Sequence, residues 1–355
     1  MVLIAAGGTG GHIFPALAFG RWLSDRGQEV LYISGSRPLE REIYEAHGIE
    51  PVVLPLSGSP LGGQGQGRGM GRTKLRRWLG LAASVVKTGR VMLRLRPDVC
   101  FLFGGYVSLA PLLWAKLLGI PAVAHEQNAC AGKVTRLAAR LGVPVASGWE
   151  ECRPLKKFTQ VGVPVRSLRR MSRAEAAAML GLDPAEAERR LVIGVLGGSL
   201  GGTDEVLRNV GARSDGVLFV VLGDGQSESG SLRFVGRRWD MAPVYSLCDA
   251  VLCRAGASTL AEAEAYRVPA LAVPWPGAAD GHQEANARLF AARTGCPLWT
   301  VPDAFGALLG LAAASRAGRV SGQNDASERL WALAEFSLGA GQKSTEKALD
   351  RPVGF

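Results

Sequence analysis

A short apolar run that stops at a glycine cluster and restarts as a helix occurs twice in this chain, and no other feature constrains the fold as tightly. The first is Met1-Val2-Leu3-Ile4-Ala5-Ala6 followed by Gly7-Gly8-Thr9-Gly10-Gly11-His12. The second is Leu191-Val192-Ile193-Gly194-Val195-Leu196 followed by Gly197-Gly198-Ser199-Leu200-Gly201-Gly202. A strand that turns through glycines into a helix gathers backbone N–H groups and the positive end of the helix dipole at one spot. That spot suits a phosphate, a pyrophosphate or a carboxylate. The spacing is not the G-x-G-x-x-G of dinucleotide folds, and a tight ligand-free turn would use the same glycines. His12 is the titratable side chain of the first loop and can serve as a base near neutral pH.

Between and beyond these two starts, strand-like runs alternate with amphipathic stretches. Strands are expected at Val30–Ser34, Val52–Pro55, Val99–Phe103, Ala122–Ala124, Leu191–Leu196, Val217–Leu222, Ala250–Cys253 and Ala270–Val273. Helices are expected at Ala16–Arg26, Leu39–His47, Leu75–Arg96, Leu109–Leu118, Ala257–Tyr266 and Gln283–Arg293. Such alternation implies an α/β protein with doubly wound parallel sheets joined by right-handed crossovers. A chain of 355 residues has room for two domains of this kind. Val161-Gly162-Val163-Pro164-Val165-Arg166 reads as the exit from one sheet, and Ser172-Arg173-Ala174-Glu175 as a capping box that opens a new helix. The boundary is therefore placed near Val163. Two domains with a glycine loop each imply a ligand gripped in the cleft between them, at the carboxyl ends of both sheets. Gly58–Gly71 reads as a glycine-rich loop without secondary structure.

Composition narrows the class. A hydrophobic fraction of 47% with 20% charged residues belongs to a soluble globular protein. No apolar run reaches the ~20 residues that span a bilayer, and the glycine-cut N-terminus lacks a basic leader, so a cytoplasmic location is expected. Six scattered cysteines without a C-x-x-C pair read as reduced, mostly buried thiols, with no metal site. The net charge of +10 is concentrated between Arg68 and Arg96, where Arg72, Lys74, Arg76, Arg77, Lys87, Arg90 and Arg94 are interleaved with Leu75, Trp78, Leu79, Val85, Val86, Met92 and Leu93. A basic amphipathic helix of this kind fits an anionic membrane surface, although the solvated face of a core helix has the same pattern. No stacking motif or zinc finger points to nucleic acid.

Four further segments carry polar groups at strand ends. Gly104-Gly105-Tyr106-Val107-Ser108 is another glycine turn at a strand's carboxyl end, or merely a packing turn. His125-Glu126-Gln127-Asn128 places four hydrogen-bonding side chains at the mouth of a buried strand, which packing does not explain. Arg254-Ala255-Gly256-Ala257-Ser258-Thr259-Leu260-Ala261-Glu262 points helix amides at the strand end and sets Glu262 to accept from vicinal ribose hydroxyls, or to stabilise the dipole. Asp280-Gly281-His282-Gln283-Glu284-Ala285-Asn286 can read a sugar's hydroxyls or cap a helix through Asp280.

Taken together and in this order, Gly7–His12, Gly104–Ser108, His125–Asn128, Val161–Arg166, Gly197–Gly202, Arg254–Glu262 and Asp280–Asn286 resemble the MurG family of inverting GT-B glycosyltransferases. The resemblance implies two Rossmann-like domains facing across a cleft. The N-terminal one, 1–163, would bind acceptor and membrane, and the C-terminal one, 164–335, the UDP-sugar, with residues 336–355 returning toward the first. It implies transfer of N-acetylglucosamine from UDP-N-acetylglucosamine to the muramyl 4-hydroxyl of the undecaprenyl-linked precursor lipid I, without cofactor or metal, at the inner face of the cell membrane through the stretch 68–96. By that similarity Thr9, Gly10, Gly11 and Asn128 lie around the donor sugar, and Tyr106 and Asn286 belong to the substrate site. Arg166 and Ser199 reach the phosphates or nucleotide, and the backbone near Arg238 holds the uracil. Ala257, Ser258, Thr259, Leu260, Ala261 and Glu262 hold phosphate and ribose, and Gln283 the sugar hydroxyls. His12 is the candidate base and Glu126 the second choice. Leu200 and Gly202 replace the family's Gln and Ala in the third glycine loop, and Val163 replaces its Asn. Competing readings are a non-catalytic nucleotide-sugar-binding protein, and another two-domain sugar-nucleotide enzyme such as a 2-epimerase or a GT-B glycosyltransferase acting on a diacylglycerol or natural product. A dehydrogenase lacks its G-x-G-x-x-G unit here.

Overall fold

The computed structural model describes residues 1–58, 70–166, 169–198, 216–225, 231–316 and 324–335, with the side chains of residues 70–75 and 279 left out. Ser199, Leu200, Gly202, the tail 336–355, Arg68 and residues 59–69 of the glycine-rich stretch lie outside the described residues. The chain forms two compact units. Among the described residues, one comprises those of 1–127, 131–162 and 325–335; the other comprises Asn128–Cys130 and those of Val163–Asn324.

The first unit is built on β1 (Val2–Ala5), β2 (Val30–Ser34), β3 (Val52–Val53), β4 (Val99–Leu102), β5 (Ala122–Glu126), β6 (Val145–Ser147) and β7 (Thr159–Gln160). Their order is β3-β2-β1-β4-β5-β6-β7, with every pairing parallel. The helices are α1 (Gly10–Ser24), α2 (Pro38–Ala46), α3 (Met70–Leu95), α4 (Leu109–Leu118) and α5 (Lys133–Arg140). Parallel strands covered on both faces need apolar side chains on both, which is why β1 and β4 are buried at every position. On one face Leu3, Ala5, Cys100 and Leu102 pack with Met92 of α3, Leu112 and Ala115 of α4, and Ala138 of α5. On the other, Phe19 of α1 meets Phe101 edge-on at 4.6 Å.

Three expectations are corrected here. Helix α1 begins at Gly10 rather than Ala16. Its first turn of glycines and the internal Pro15 read as breakers in sequence, yet the turn is held by the sheet it springs from. Met70 and Gly71, assigned to a loop, already belong to α3. The chain also returns to the first unit at Asp325, ahead of residue 336. Residues 326–335 are helical, and Trp331 stacks on Phe101 at 6.1 Å between ring centroids.

The second unit has β8 (Leu191–Leu196), β9 (Val217–Leu222), β10 (Leu232–Phe234), β11 (Ala250–Arg254) and β12 (Ala270–Val273) in the order β10-β9-β8-β11-β12, again parallel. Its helices are α6 (Arg173–Met179), α7 (Pro184–Arg189), α8 (Ala242–Leu247), α9 (Ala257–Ala265), α10 (His282–Thr294) and α11 (Ala304–Ser315). Phe305 and Leu308 of α11 close one face over Ile193, Val195, Phe219 and Leu252. Ser172 caps α6 by accepting from the Glu175 N–H at 3.2 Å, as the capping-box pattern requires. Arg173 makes a two-pronged ion pair with the fully buried Asp249, both contacts at 2.9 Å, and also donates to the carbonyls of Ala187 and Leu247. Asp249 in turn accepts from the Val192 N–H at 2.8 Å, which ties α6 and α7 to the beginning of β8. Among the described residues, no helix is long and apolar enough to cross a membrane.

Candidate active site

In the first unit the sheet's carboxyl end gathers three of the segments singled out in sequence. After β1 the chain passes through Gly7 and Gly8 (φ +95°) to Thr9, the extended residue that precedes α1 and whose side chain makes no capping bond. Its Oγ1 instead lies 3.4 Å from Nδ1 of His12. Gly10 and Gly11 thus form the first turn of a helix whose amides face the end of the sheet. The His12 ring rests against the Gly104–Gly105 turn: a Cβ on Gly104 would stand 3.2 Å from His12 Cδ2 and 3.4 Å from Nε2. A Cβ on Gly105 (φ +69°) would come within 2.7 Å of the Gly7 carbonyl, so the two loops touch backbone to backbone. Ser108 fastens the turn to β1 by donating to the carbonyls of Gly104 (2.7 Å) and Ala5 (3.2 Å).

Tyr106 does not offer its hydroxyl to the outside. The hydroxyl donates to Glu40 at 2.6 Å, and burial together with the Glu40 charge pushes its pKa far above the usual phenol value. Glu40, in the first turn of α2, is fully buried and also accepts from the Gly8 N–H at 2.8 Å. Sequence reasoning missed it, because a glutamate in the first turn of a helix reads as an ordinary partner of the dipole.

The His125–Asn128 segment divides into different roles. His125 is fully buried; its Nε2 donates to the Gly162 carbonyl at 2.8 Å, and its Nδ1 accepts from the Gln127 amide at 2.9 Å. Burial lowers its pKa to about 4, so the ring is neutral at physiological pH. Glu126 is 3% exposed, and one carboxylate oxygen accepts from both the Gly132 N–H (2.9 Å) and Thr135 Oγ1 (2.7 Å), at the start of α5. That is the geometry of a side chain satisfying the start of a helix. Asn128 accepts at Oδ1 from the Asn286 amide at 3.1 Å. Asn286, fully buried, also donates to the Ala255 carbonyl and accepts from the Ala129 N–H, so these two candidates lock one another and the loop before α9.

The second unit brings together residues 96 positions apart. Glu262 Oε1 takes Arg166 Nε at 2.8 Å and Nη2 at 2.5 Å, while Oε2 takes the Tyr245 hydroxyl at 3.3 Å. A further Arg166 nitrogen donates to the Trp239 carbonyl. Arg166, expected at the phosphates or nucleotide, is therefore engaged in fixing the ribose candidate, and Tyr245, which carries no signal in sequence, completes the clamp. Helix α9 begins at Ala257 behind Gly256 with no side-chain cap, and Ser258 and Thr259 are the half-exposed residues of its first turn. Arg238 is half-buried, donating from Nε to the Val235 carbonyl at 3.1 Å beyond the end of β10. The Gln283 side-chain carbonyl accepts from the Trp275 N–H at 2.8 Å, which turns its NH2 group to the other side. Asp280 lies in a left-handed turn (φ +55°), and the N-cap position of α10 is taken by Gly281. Among the described residues, no cluster of three or more His, Cys, Asp or Glu is arranged to hold a metal ion.

Residues 2–145 match the glycosyltransferase family 28 N-terminal domain, and residues 226–300 match the glycosyltransferase family 28 C-terminal domain. The UDP-N-acetylglucosamine--N-acetylmuramyl-(pentapeptide) pyrophosphoryl-undecaprenol N-acetylglucosamine transferase of Halorhodospira halophila is 34% identical, over 94% of this chain and 97% of its own length. The chain belongs to the MurG family. The enzyme of the same name from Ralstonia nicotianae is 34% identical over 82% of this chain and 81% of its own. The crystal structure of Acinetobacter baumannii MurG superposes with a TM-score of 0.62 at 26% identity, covering 94% of this chain and 99% of that one. SnogD of Streptomyces nogalater, at 19% identity and a TM-score of 0.60, shares the fold alone. The chain is accordingly a glycosyltransferase of GT-B type. Its departures from the MurG pattern at Leu200 and Gly202 lie outside the described residues. At Val163 the departure is a buried side chain, with its carbonyl accepting from Asn324 Nδ2 at 3.2 Å.

Proposed function

We propose that this chain transfers N-acetylglucosamine, with inversion, from UDP-N-acetylglucosamine to the 4-hydroxyl of the N-acetylmuramyl group of lipid I, forming lipid II for the cell wall. The observation that carries the reading is the 34% identity to a transferase of that name along 94% of the chain and 97% of that enzyme. In this reading the ribose diol donates to Glu262, whose carboxylate is held rigid by Arg166 and Tyr245 and still has lone pairs to spare. The pyrophosphate sits at the amino end of α9, and the backbone beside Arg238 takes the uracil. Gln283 and Asn128 face the sugar hydroxyls. Inversion needs one displacement at the anomeric carbon. The His12 imidazole takes the proton of the incoming hydroxyl as the new glycosidic bond forms, while UDP leaves with the electron pair of the broken bond. Helix amides and dipole stabilise the charge that grows on the leaving phosphate, so the proposal includes turnover that survives EDTA. The deciding experiment incubates the protein with radiolabelled UDP-N-acetylglucosamine and a short-chain lipid I analogue. Label is expected in a disaccharide lipid; donor binding without transfer would favour the non-catalytic reading, and an altered sugar formed without acceptor would favour an epimerase.

We also place the protein peripherally on the anionic inner face of the membrane, by way of α3 and α4. Trp78, Leu79, Val86 and Leu93 of α3 and Leu113 and Leu117 of α4 are exposed, and Arg76, Arg77, Arg90, Arg94 and Lys116 stand exposed among them. On α3, positions 79, 86, 90 and 93 fall on one helical face, so apolar groups and cations share the side that the sheet does not cover. Co-sedimentation with vesicles containing phosphatidylglycerol is expected to fall at least fivefold in a Trp78→Glu/Leu79→Glu double variant and in 0.5 M salt. Undiminished binding in the double variant would remove this surface from the proposal.

A further inference from the structure

We propose that Glu40 is a positioning residue for the transfer reaction, a buried carboxylate that holds the Gly7–His12 loop and the Gly104–Ser108 turn in one register and with them the His12 imidazole. The inference rests on the preceding assignment of His12 as the base. Three chain segments converge on this one side chain. Gly8 N–H donates to Oε1 at 2.8 Å, Tyr106 OH to the same oxygen at 2.6 Å, and Ser34 Oγ to Oε2 at 3.2 Å. The donors come from the loop after β1, the turn after β4 and the last residue of β2.

The backbone is shaped around the group. A Cβ on Gly35 would meet Glu40 Oε2 at 2.5 Å, and one on Gly7 would meet Val107 Cγ2 at 2.5 Å and Glu40 Oε2 at 2.9 Å, so the carboxylate is packed directly against both strand exits. A helix-dipole partner at a surface would need neither the burial nor this close packing. A fully buried charge is costly to desolvate, and hydrogen bonds only offset that cost when they are all made, so the geometry of its donors is fixed tightly. Arg37 braces the same two loops, donating to the Gly8 carbonyl at 3.1 Å and lying 5.4 Å from the centre of the Tyr106 ring.

The chain of contacts runs on to the base. Tyr106 directly follows the Gly104–Gly105 ledge on which the His12 ring rests, and Gly8 directly precedes the turn that launches α1 and His12. Oε1 of Glu40 is the shared acceptor that sets the distance between the ledge and the loop. Glutamine in its place can keep a carbonyl on the Gly8 N–H and the Tyr106 hydroxyl and turn its NH2 to Ser34 Oγ, but it removes the negative charge that makes these bonds short and strong, so the two loops are held less tightly in register.

The test compares Glu40→Gln, Tyr106→Phe, the double variant and His12→Ala by steady-state kinetics with labelled donor and lipid acceptor, alongside thermal unfolding. Glu40→Gln is expected to lower kcat at least tenfold with donor KM within twofold, because Glu262, Arg166 and the amino end of α9, which hold the nucleotide in the proposed reading, belong to the other unit. Tyr106→Phe, which keeps the ring and its packing, should lower kcat in the same sense, and the double variant should be no slower than Glu40→Gln alone. Wild-type kcat in Glu40→Gln and Tyr106→Phe, a loss confined to donor KM, or losses that multiply in the double variant would each overturn the proposal. Should Glu40→Gln fail to fold, Tyr106→Phe decides alone: a fall in kcat with unchanged donor KM supports the role, and wild-type kcat overturns it. If His12→Ala turns over normally, the base assignment falls and this inference with it. If His12→Ala is inactive while the other variants are normal, only the role of Glu40 falls.

Discussion

Replacing His12 with alanine is expected to lower kcat by about 10²- to 10⁴-fold while leaving donor KM within about threefold. The split follows from where the residue sits. Its ring lies against Gly104 at the carboxyl end of the first sheet, whereas Glu262, Arg166 and the amino end of α9 all belong to the second unit. A group that acts only on the acceptor hydroxyl in the transition state changes turnover and not ground-state binding of the donor. Alanine is also the best helix former, so α1 should persist and the variant should fold. Kinetics at saturating lipid acceptor, with UDP affinity measured separately by calorimetry, read the two quantities independently. Wild-type turnover in the variant would take His12 out of the mechanism, and a loss of UDP affinity that matched the loss of turnover would make it a donor ligand instead.

The second large effect is on stability in acid. His125 is fully buried and held neutral, its pKa lowered from 6.5 to about 4 by burial. In the unfolded chain the same ring regains its ordinary value near 6.5, so between about pH 6.5 and 4 the unfolded state binds the proton more readily. Stability is therefore complete above 6.5 and declines as the pH falls. The loss from this one group is about 2 kcal/mol at pH 5 and about 3 kcal/mol at pH 4. Denaturant unfolding at pH 7 and pH 5 measures it, with His125→Asn as the reference because asparagine offers a hydrogen-bonding amide and does not titrate. The wild-type protein should lose more stability than the variant across that interval. Equal losses would show that His125 has no depressed pKa and that other groups carry the acid sensitivity.

How much of this was legible in sequence depends on how many side chains each element uses to announce itself. Strands β8 and β9 read directly because both faces are buried, which gives unbroken runs such as Val217-Leu218-Phe219-Val220-Val221-Leu222. Strand β6 is three residues long and β7 is Thr159-Gln160 with both side chains exposed, too short for any periodicity to register. They are held instead by pairing with neighbours already in place. The site was legible as a set of strand-end segments but not as a set of directions. Glu126 and Glu262 are both acidic residues beside a helix start. One turns under α5 as a cap, and the other is clamped by an arginine 96 positions away. Glu40 is illegible for the same reason, since its meaning comes from three donors on segments that the sequence separates.

The return of the chain to the first unit at Asp325 has a consequence for synthesis on the ribosome. Trp331 supplies a stacking partner for Phe101 in β4, so a layer of the first sheet's packing arrives only after the whole second unit has been translated. The second unit, by contrast, is drawn almost entirely from one continuous stretch and can complete its core as it emerges. The half made first is thus finished last. A fragment cut at Gly162 would leave Phe101 without the aromatic ring that stacks on it, and a soluble version of the first unit should need residues 325–335 grafted back behind Gly162.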